Sequence, residues 1–372
     1  MITLLSKNTR NGSEKMKVGI AMSGGVDSAV AAALLIEAGH EVVGYHMKNL
    51  PDHLFEVVPE TKKVCCSPSD TIDAYKTAKI LGIELKIVKL NELFRNHIID
   101  YFIEEYRQGR TPNPCVLCND YMKFGALMEK ALEDGMEMFA SGHYARIINH
   151  PDYGITLAKG KADHKDQAYF LSRIKKEKLK KILFPNGELT KEEIREKAKV
   201  LGLPVHAKRE SQELCFIPDN NYRRFLKEEG IVLPAGEIVD VHGNVLGKHR
   251  GLPFYTIGQR KGLGISSDKK LYIIDIDKKL NRLIVGPYEM TLKNRFKAIK
   301  PNWLIDVHSN EFRCECMVRS TMKPEEAKVH IIGDSLTVEF KKPVSAITPG
   351  QLAVFYDGAI VLGSAFIESV ES

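Results

Sequence analysis

The chain has 372 residues, too many for one ordinary hydrophobic core, so two or three domains are expected. With 44% apolar and 27% charged residues, a mean hydropathy of -0.21 and no apolar run long enough to cross a bilayer, a helical membrane protein is excluded. A net charge of +6 is too mild to argue for nucleic acid by itself. Seven cysteines, an odd number in a long chain, speak against a disulfide framework and for a reducing compartment, with the cytoplasm as the default.

Residues 1–15 lack a signal-peptide core, and Met16 stands directly before the first strand-like run, so 1–15 reads as a disordered extension. Lys17–Met22 is an apolar run ending in Ser-Gly-Gly, and Asp27–Ala38 is an Ala/Leu-rich helix stopped by Gly39. Glu41–Met47 reads as a strand, Asp70–Leu81 as a helix closed by Gly82, and Ile83–Leu90 as a third strand. Helices over Asn91–Gln108 and Tyr121–Asp134 follow, then a strand through Phe139. This alternation predicts an α/β fold over 16–219, a Rossmann-like parallel sheet that binds ligands beyond the carboxyl ends of its strands. Thr190 and Glu193 have capping-box spacing, so another helix begins there. From about residue 220 short β-rich runs and turn residues dominate. They predict a small β-rich central domain over 220–285 and a C-terminal β-barrel over 286–372.

Ala21, Met22, Ser23, Gly24, Gly25, Val26, Asp27 and Ser28 join the first strand to the first helix. Two glycines let backbone amides approach an anion, and the helix N-terminus offers unpaired N–H groups and partial positive charge. The string has neither the Gly-Lys-Ser/Thr of a Walker loop nor the GxGxxG of a dinucleotide fold. Ser-Gly-Gly-Val-Asp-Ser resembles the pyrophosphate-binding loop of the ATP pyrophosphatases. That resemblance implies cleavage of ATP between its α and β phosphates, with transfer of AMP to a carbonyl oxygen.

Downstream, Arg110-Thr-Pro-Asn-Pro-Cys115-Val-Leu-Cys118-Asn119, Ser141-Gly-His-Tyr144, Lys165-Asp-Gln-Ala-Tyr-Phe-Leu171 and Ser211-Gln-Glu-Leu-Cys215-Phe-Ile-Pro218 resemble the tRNA-specific 2-thiouridylases. Tyr255-Thr-Ile-Gly-Gln-Arg-Lys-Gly-Leu-Gly264 and Thr348-Pro-Gly-Gln351 extend the likeness almost to the end of the chain. By that resemblance residues 21–28 and Met47 hold ATP, with Gly142 close to the nucleotide. Asn113, Pro114 and Cys115 border the target base. His143, Lys165, Asp166, Gln167, Arg319 and Gln351 face tRNA. Cys118 is the nucleophilic or resolving cysteine and Cys215 the persulfide carrier. Magnesium accompanies ATP, with its ligands unassigned, and tRNA and a sulfur-donor protein or free sulfide are the partners of an enzyme expected to be a monomer. The loop alone fits equally a ligase or amidotransferase acting on a small molecule, which needs neither Cys118 nor Cys215.

Many relatives have aspartate where this chain has Cys115, so a carboxylate able to serve as acid or base is absent here. Three cysteines, Cys115, Cys118 and Cys215, then suit a [4Fe–4S] cluster with one open iron as an alternative to the persulfide. Cys65-Cys66 reads as incidental, and Cys314 and Cys316 are spaced to share one face of a strand. The stretch Arg173 to Lys181 is strongly basic and reads as a solvated face unless a polyanion is the substrate.

Overall fold

The computed structural model describes residues 15–50, 68–206, 208, 214–217, 219, 221–231 and 234–371. Residues 1–14 of the extension, Cys65-Cys66, and residues 211–213 and 218 of the Cys215 motif lie outside the described residues.

The first domain contributes β1 (Lys17–Ala21), β2 (Glu41–Lys48), β3 (Glu84–Lys89), β4 (Met138–Ala140), β5 (Ala145–His150), β6 (Gly154–Lys159) and β7 (Ile182–Leu183). Five of these form a sheet of order β3-β2-β1-β4-β7 in which every pair is parallel. The Rossmann-like expectation is therefore met. Val18 and Ile20 of β1 are fully buried because helices cover both faces of the sheet. The helix Val26–Glu37 is almost wholly enclosed, which explains its Ala-rich, weakly patterned sequence. Strand order reverses between β1 and β4, the place where sheets of this kind bind ligands beyond the carboxyl ends of their strands.

One helix differs from the expectation. It spans 114–133 and so begins well ahead of Tyr121, with Pro114 in its first turn. The proline-rich stretch before it reads as loop in sequence, yet proline at the first helical position is a start signal. This places Cys115 and Cys118 one turn apart on a helix. The turns over Cys118–Leu127 are π-type, and the backbone kinks at Gly125.

The central domain holds β8 (Gly236–Asp240), β9 (Val245–His249), β10 (Tyr272–Asp277) and β11 (Arg282–Gly286), a sheet of order β10-β11-β8-β9. The last domain holds β12 (Leu292–Trp303), β13 (Glu311–Met317), β14 (Glu325–Ile332), β15 (Ser335–Ser345), β16 (Leu352–Asp357) and β17 (Ile360–Glu371). Because β12 pairs with both β15 and β17, these six strands close into a barrel. The barrel is not separate from the first domain. The β5–β6 hairpin extends its sheet, with Ile360 opposite Ala158 and the Lys159 N–H donating to Ala359 O at 2.8 Å.

Strand β16 shows how the barrel is fastened. Ala353 and Phe355 point into the barrel core, while Leu352, Val354 and Tyr356 join the large core shared with the first domain. Both faces are buried, so the strand reads as a continuous apolar run rather than an alternation. Cys314 and Cys316 pack against the barrel core, where burial pushes the Cys314 thiol up to about 12 and Cys316 well above its ordinary value.

Candidate nucleotide and cysteine site

The loop after β1 lies at the sheet's switch point. Gly24 has φ +73, and a side chain there would run into the Asp70 carbonyl, so glycine is required twice over. The Ser28 hydroxyl donates to Gly25 O at 3.0 Å and accepts from the Ser23 N–H at 3.2 Å. Gly25 caps the helix Val26–Glu37 without a side-chain bond, so no side chain caps its first-turn amides. Ser23 is exposed beside them.

The floor of the loop is fixed from β2. Met22 N–H donates to Tyr45 O at 2.8 Å, and the buried His46 bonds Met22 O through Nδ1 at 2.8 Å and Thr71 Oγ1 through Nε2 at 2.9 Å. Burial lowers the His46 pKa, so the ring is neutral in this role. Met47, farther along β2, is buried and pairs with Val88 of β3.

The end of β4 supplies the other wall. A Cβ at Gly142 would come within 2.6 Å of the Asp27 carbonyl carbon and the Ser28 nitrogen, so the Ser141-Gly142-His143 turn rests directly on the loop's backbone. Asn186 bridges the two, its Nδ2 donating to Asp27 O at 2.9 Å and Gly142 O at 3.0 Å. The Asp27 carboxylate accepts from Tyr144 Oη at 2.6 Å and from Lys191 Nζ at 2.7 and 2.9 Å. Lys208 Nζ donates to Gly24 O at 2.8 Å, Asp70 Oδ1 at 2.6 Å and Asp73 Oδ2 at 2.5 Å. Burial works against the Lys208 charge, but the two carboxylates outweigh it and raise the pKa.

Several residues implied to face tRNA also make bonds within the first domain. Gln167 accepts from the Tyr144 N–H at 3.0 Å and returns its own N–H to Tyr144 O at 3.0 Å. Asp166 accepts from the Gly160 and Ala168 amides at 3.0 and 3.2 Å, and the Lys165 N–H donates to Ala162 O at 2.9 Å. His143 bonds Ser141 Oγ at 2.7 Å, with Lys123 Nζ 3.5 Å from its other nitrogen and the rings of Phe124 and Phe184 beside it. Burial and the Lys123 charge hold its pKa well below that of an ordinary histidine.

Asn113 caps the helix 114–133 and donates its N–H to Tyr101 Oη at 3.4 Å. Cys115 is exposed in the first turn, and Cys118 is half-buried. Cys215 sits in a turn closed by the Ile217 N–H to Leu214 O bond of 3.0 Å. Its neighbour Phe216 is wedged among Phe94, Phe102 and Phe225, with ring centroids 5.1 to 5.9 Å apart. Cys118 and Cys215 both pack against the same large core. Among the described residues no three His, Cys, Asp or Glu side chains gather to hold a metal ion. No helix among the described residues is long and apolar enough to cross a membrane.

Residues 16–219 match the family model described as the tRNA methyl transferase HUP domain. Residues 223–287 match its PRC-barrel domain, and 293–367 an aminomethyltransferase beta-barrel domain. A tRNA-specific 2-thiouridylase of Fervidobacterium nodosum is 48% identical over 95% of this chain and 99% of its own length. The protein of the same name from Pseudothermotoga lettingae is 47% identical over 95% and 100%. The chain belongs to the tRNA-specific 2-thiouridylases. Among solved structures, a 4-thiouridine synthetase–RNA complex with bound ATP aligns at a TM-score of 0.36 and 19% identity, over 57% of this chain and 50% of that one.

Within a thiouridylase read this way, the sequence motifs missed Lys191, Asn186, Lys208 and Asp70. Lys191 carried a signal. It follows Thr190, the cap of the confirmed Thr190–Glu193 box, directly, and a cation in the first turn of a helix opposes the macrodipole. Its partner, Asp27, resolves the anomaly. Asn186 and Lys208 carried none, because their partners, backbone carbonyls and for Lys208 also the Asp70 and Asp73 carboxylates, are distant in sequence.

Proposed function

We propose that this enzyme replaces the 2-oxygen of the tRNA wobble uridine with sulfur, in an ATP-dependent reaction carried by Cys215 and Cys118. The observation that supports it most is the pairing of two structures on one domain. An uncapped helix N-terminus with a glycine loop lies at the switch point of the sheet, and two cysteines pack on the adjoining core.

The uridine O2 attacks the α-phosphate of ATP, pyrophosphate leaves into the loop 23–28, and C2 carries an adenylate. Magnesium supplies charge neutralisation on the phosphates when bound. A persulfide on Cys215, loaded by a donor that carries sulfane sulfur, attacks C2 through its terminal sulfur and AMP leaves with the former O2. The Cys118 thiolate then attacks the Cys215 sulfur. The S–S bond to the base breaks, its electron pair stays on the thiocarbonyl sulfur, and a Cys118–Cys215 disulfide forms. A dithiol reductant restores both thiols. The target base lies near Asn113, Pro114 and Cys115, at the start of the cysteine helix.

The small-molecule ligase or amidotransferase reading uses the loop but leaves both cysteines idle. Incubation with tRNA, ATP and a persulfide donor, followed by nucleoside mass analysis, decides between them. The expected result is a sulfur-for-oxygen mass gain in uridine that vanishes in Cys118→Ser and Cys215→Ser. Turnover independent of tRNA in both variants would sink the proposal. Iron and acid-labile sulfide in protein purified without oxygen test the route: about four of each per chain would replace the persulfide by a cluster.

A further inference from the structure

A loop of the barrel, residues 346–351, reaches across to the segment that precedes the cysteine helix. The Thr111 N–H donates to Pro349 O at 3.0 Å. The Gln351 amide donates from Nε2 to Thr111 O and to Pro112 O, both at 2.9 Å, while its Oε1 accepts from Asn113 Nδ2 at 3.4 Å. Gly350 has φ +90, and a Cβ there would fall 2.8 Å from Thr111 O, 2.7 Å from Glu105 Oε2 and 3.0 Å from Arg110 Cβ. The loop is held in turn from behind. Arg319 donates from Nη2 to Thr348 Oγ1 at 3.1 Å and to Ile257 O of the central domain at 3.0 Å.

The chemistry of the clamped segment explains why an amide does this work. Pro112 and Pro114 have no N–H, so the backbone between them can be fixed mainly through its carbonyls. A primary amide offers two donors on one nitrogen, and Gln351 directs that nitrogen at two consecutive carbonyls. The residue next along, Asn113, is the cap of the helix whose first turns carry Cys115 and Cys118.

We propose that Gln351, braced by Thr348 and Arg319, is a positioning residue for Cys115 and Cys118, through which the barrel and central domains set the cysteine geometry. This role is additional to the tRNA contact implied by the family likeness, and it rests on the reading of Cys118 as a sulfur-handling group.

The test uses the full chain with Gln351→Met, which keeps the volume and removes both donors, and Gln351→Glu, which sets a carboxylate against two carbonyl oxygens. Alkylation of Cys115 and Cys118 by iodoacetamide, followed by peptide mass without tRNA or ATP, is the first readout. Thiolation kcat, KM for tRNA and tRNA Kd are the second. The expected result is a change of about threefold or more in the alkylation rate of at least one cysteine. With it goes a fall in kcat of about tenfold, over and above any weakening of tRNA Kd from the lost tRNA contact. Unchanged alkylation and kcat with weakened tRNA binding would overturn the proposal and leave Gln351 a tRNA contact only. The alkylation readout stands even if no thiolation is seen in the parent enzyme, so the two readings fail separately. Should either Gln351 variant not fold, Thr348→Val removes the brace one step behind, and an alkylation rate identical to the parent there would equally refute the coupling.

Discussion

At the nucleotide end, eight consecutive residues make the loop, and Gly142, Asn186, Lys191 and Lys208 that brace it all come from the first domain. At the cysteine end, the helix start is held by Gln351 and Pro349 of the barrel, and their loop is fastened by Arg319 to the central domain. One end is built locally and the other by assembly. An anion cradle needs only a tight turn and a helix N-terminus, which contiguous sequence can encode. A pair of thiols that must exchange one sulfur needs two segments brought together, and such geometry is set by whatever packs around them.

If the two ends are separable, the largest effect comes from removing the thiols. Cys118→Ser and Cys215→Ser should each lower thiolation by about a thousandfold or more, because a hydroxyl neither carries sulfane sulfur nor resolves a persulfide. Release of pyrophosphate from ATP in the presence of tRNA should persist in both. Loss of pyrophosphate release alongside thiolation would join the two ends into one unit and break the contrast.

Gly142→Ala attacks the other end. Its Cβ would sit within 2.6 Å of the Asp27 and Ser28 backbone, so the turn or the helix start must move. Overpacking of this kind costs about 1–3 kcal/mol and should weaken ATP binding by roughly ten- to a hundredfold. Calorimetric titration with a non-hydrolysable ATP analogue reads this directly. The alkylation rates of Cys115 and Cys118 should stay as in the parent, and a shift in them would show that the loop also sets the thiols.

Lys208 offers a smaller, structural version of the same test. Its side chain is 11% exposed and Asp70's is 6%, so Lys208→Met takes the ammonium away from a buried carboxylate beside Gly24. Breaking one side of such a pair costs about 3–5 kcal/mol. Thermal unfolding of the variant should begin well below the parent, and an unchanged transition would mean that Asp70 takes up a proton or a new partner.

The same division decides what could be read without a structure. The sheet, the helix Val26–Glu37 and the loop were legible because apolar runs, glycines and a capping box are short-range signals. The start of the cysteine helix was not. Arg110 to Pro114 looks like a loop by composition, and that masks the start signal Pro114 gives at the first helical position. Nor could sequence show that β5 and β6 leave the parallel sheet for the barrel, since their alternation fits either partner. Arg319 and Gln351 were assigned to tRNA through family likeness, yet their protein partners lie in segments remote along the chain.

His143 gives the smallest and cleanest test of local construction, because every group around it belongs to the first domain. Ser141 bonds one ring nitrogen, the Lys123 ammonium faces the other, and Phe124 and Phe184 close the sides. Burial and that ammonium depress its pKa well below 6.5. Between the folded pKa and about 6.5 the unfolded chain therefore binds a proton that the folded chain refuses. The stability His143 permits is complete above pH about 6.5 and falls as the pH drops through that window, by at most about 1.4 kcal/mol per pH unit. Urea unfolding at a series of pH values from neutral to mildly acidic should show a shallower acid slope in His143→Asn than in the parent. His46, also depressed by burial, remains in the variant and keeps part of the slope. An identical slope in the two proteins would mean that the pocket opens to protonate His143 without unfolding, and the nucleotide end would then be less rigid than its hydrogen bonds indicate.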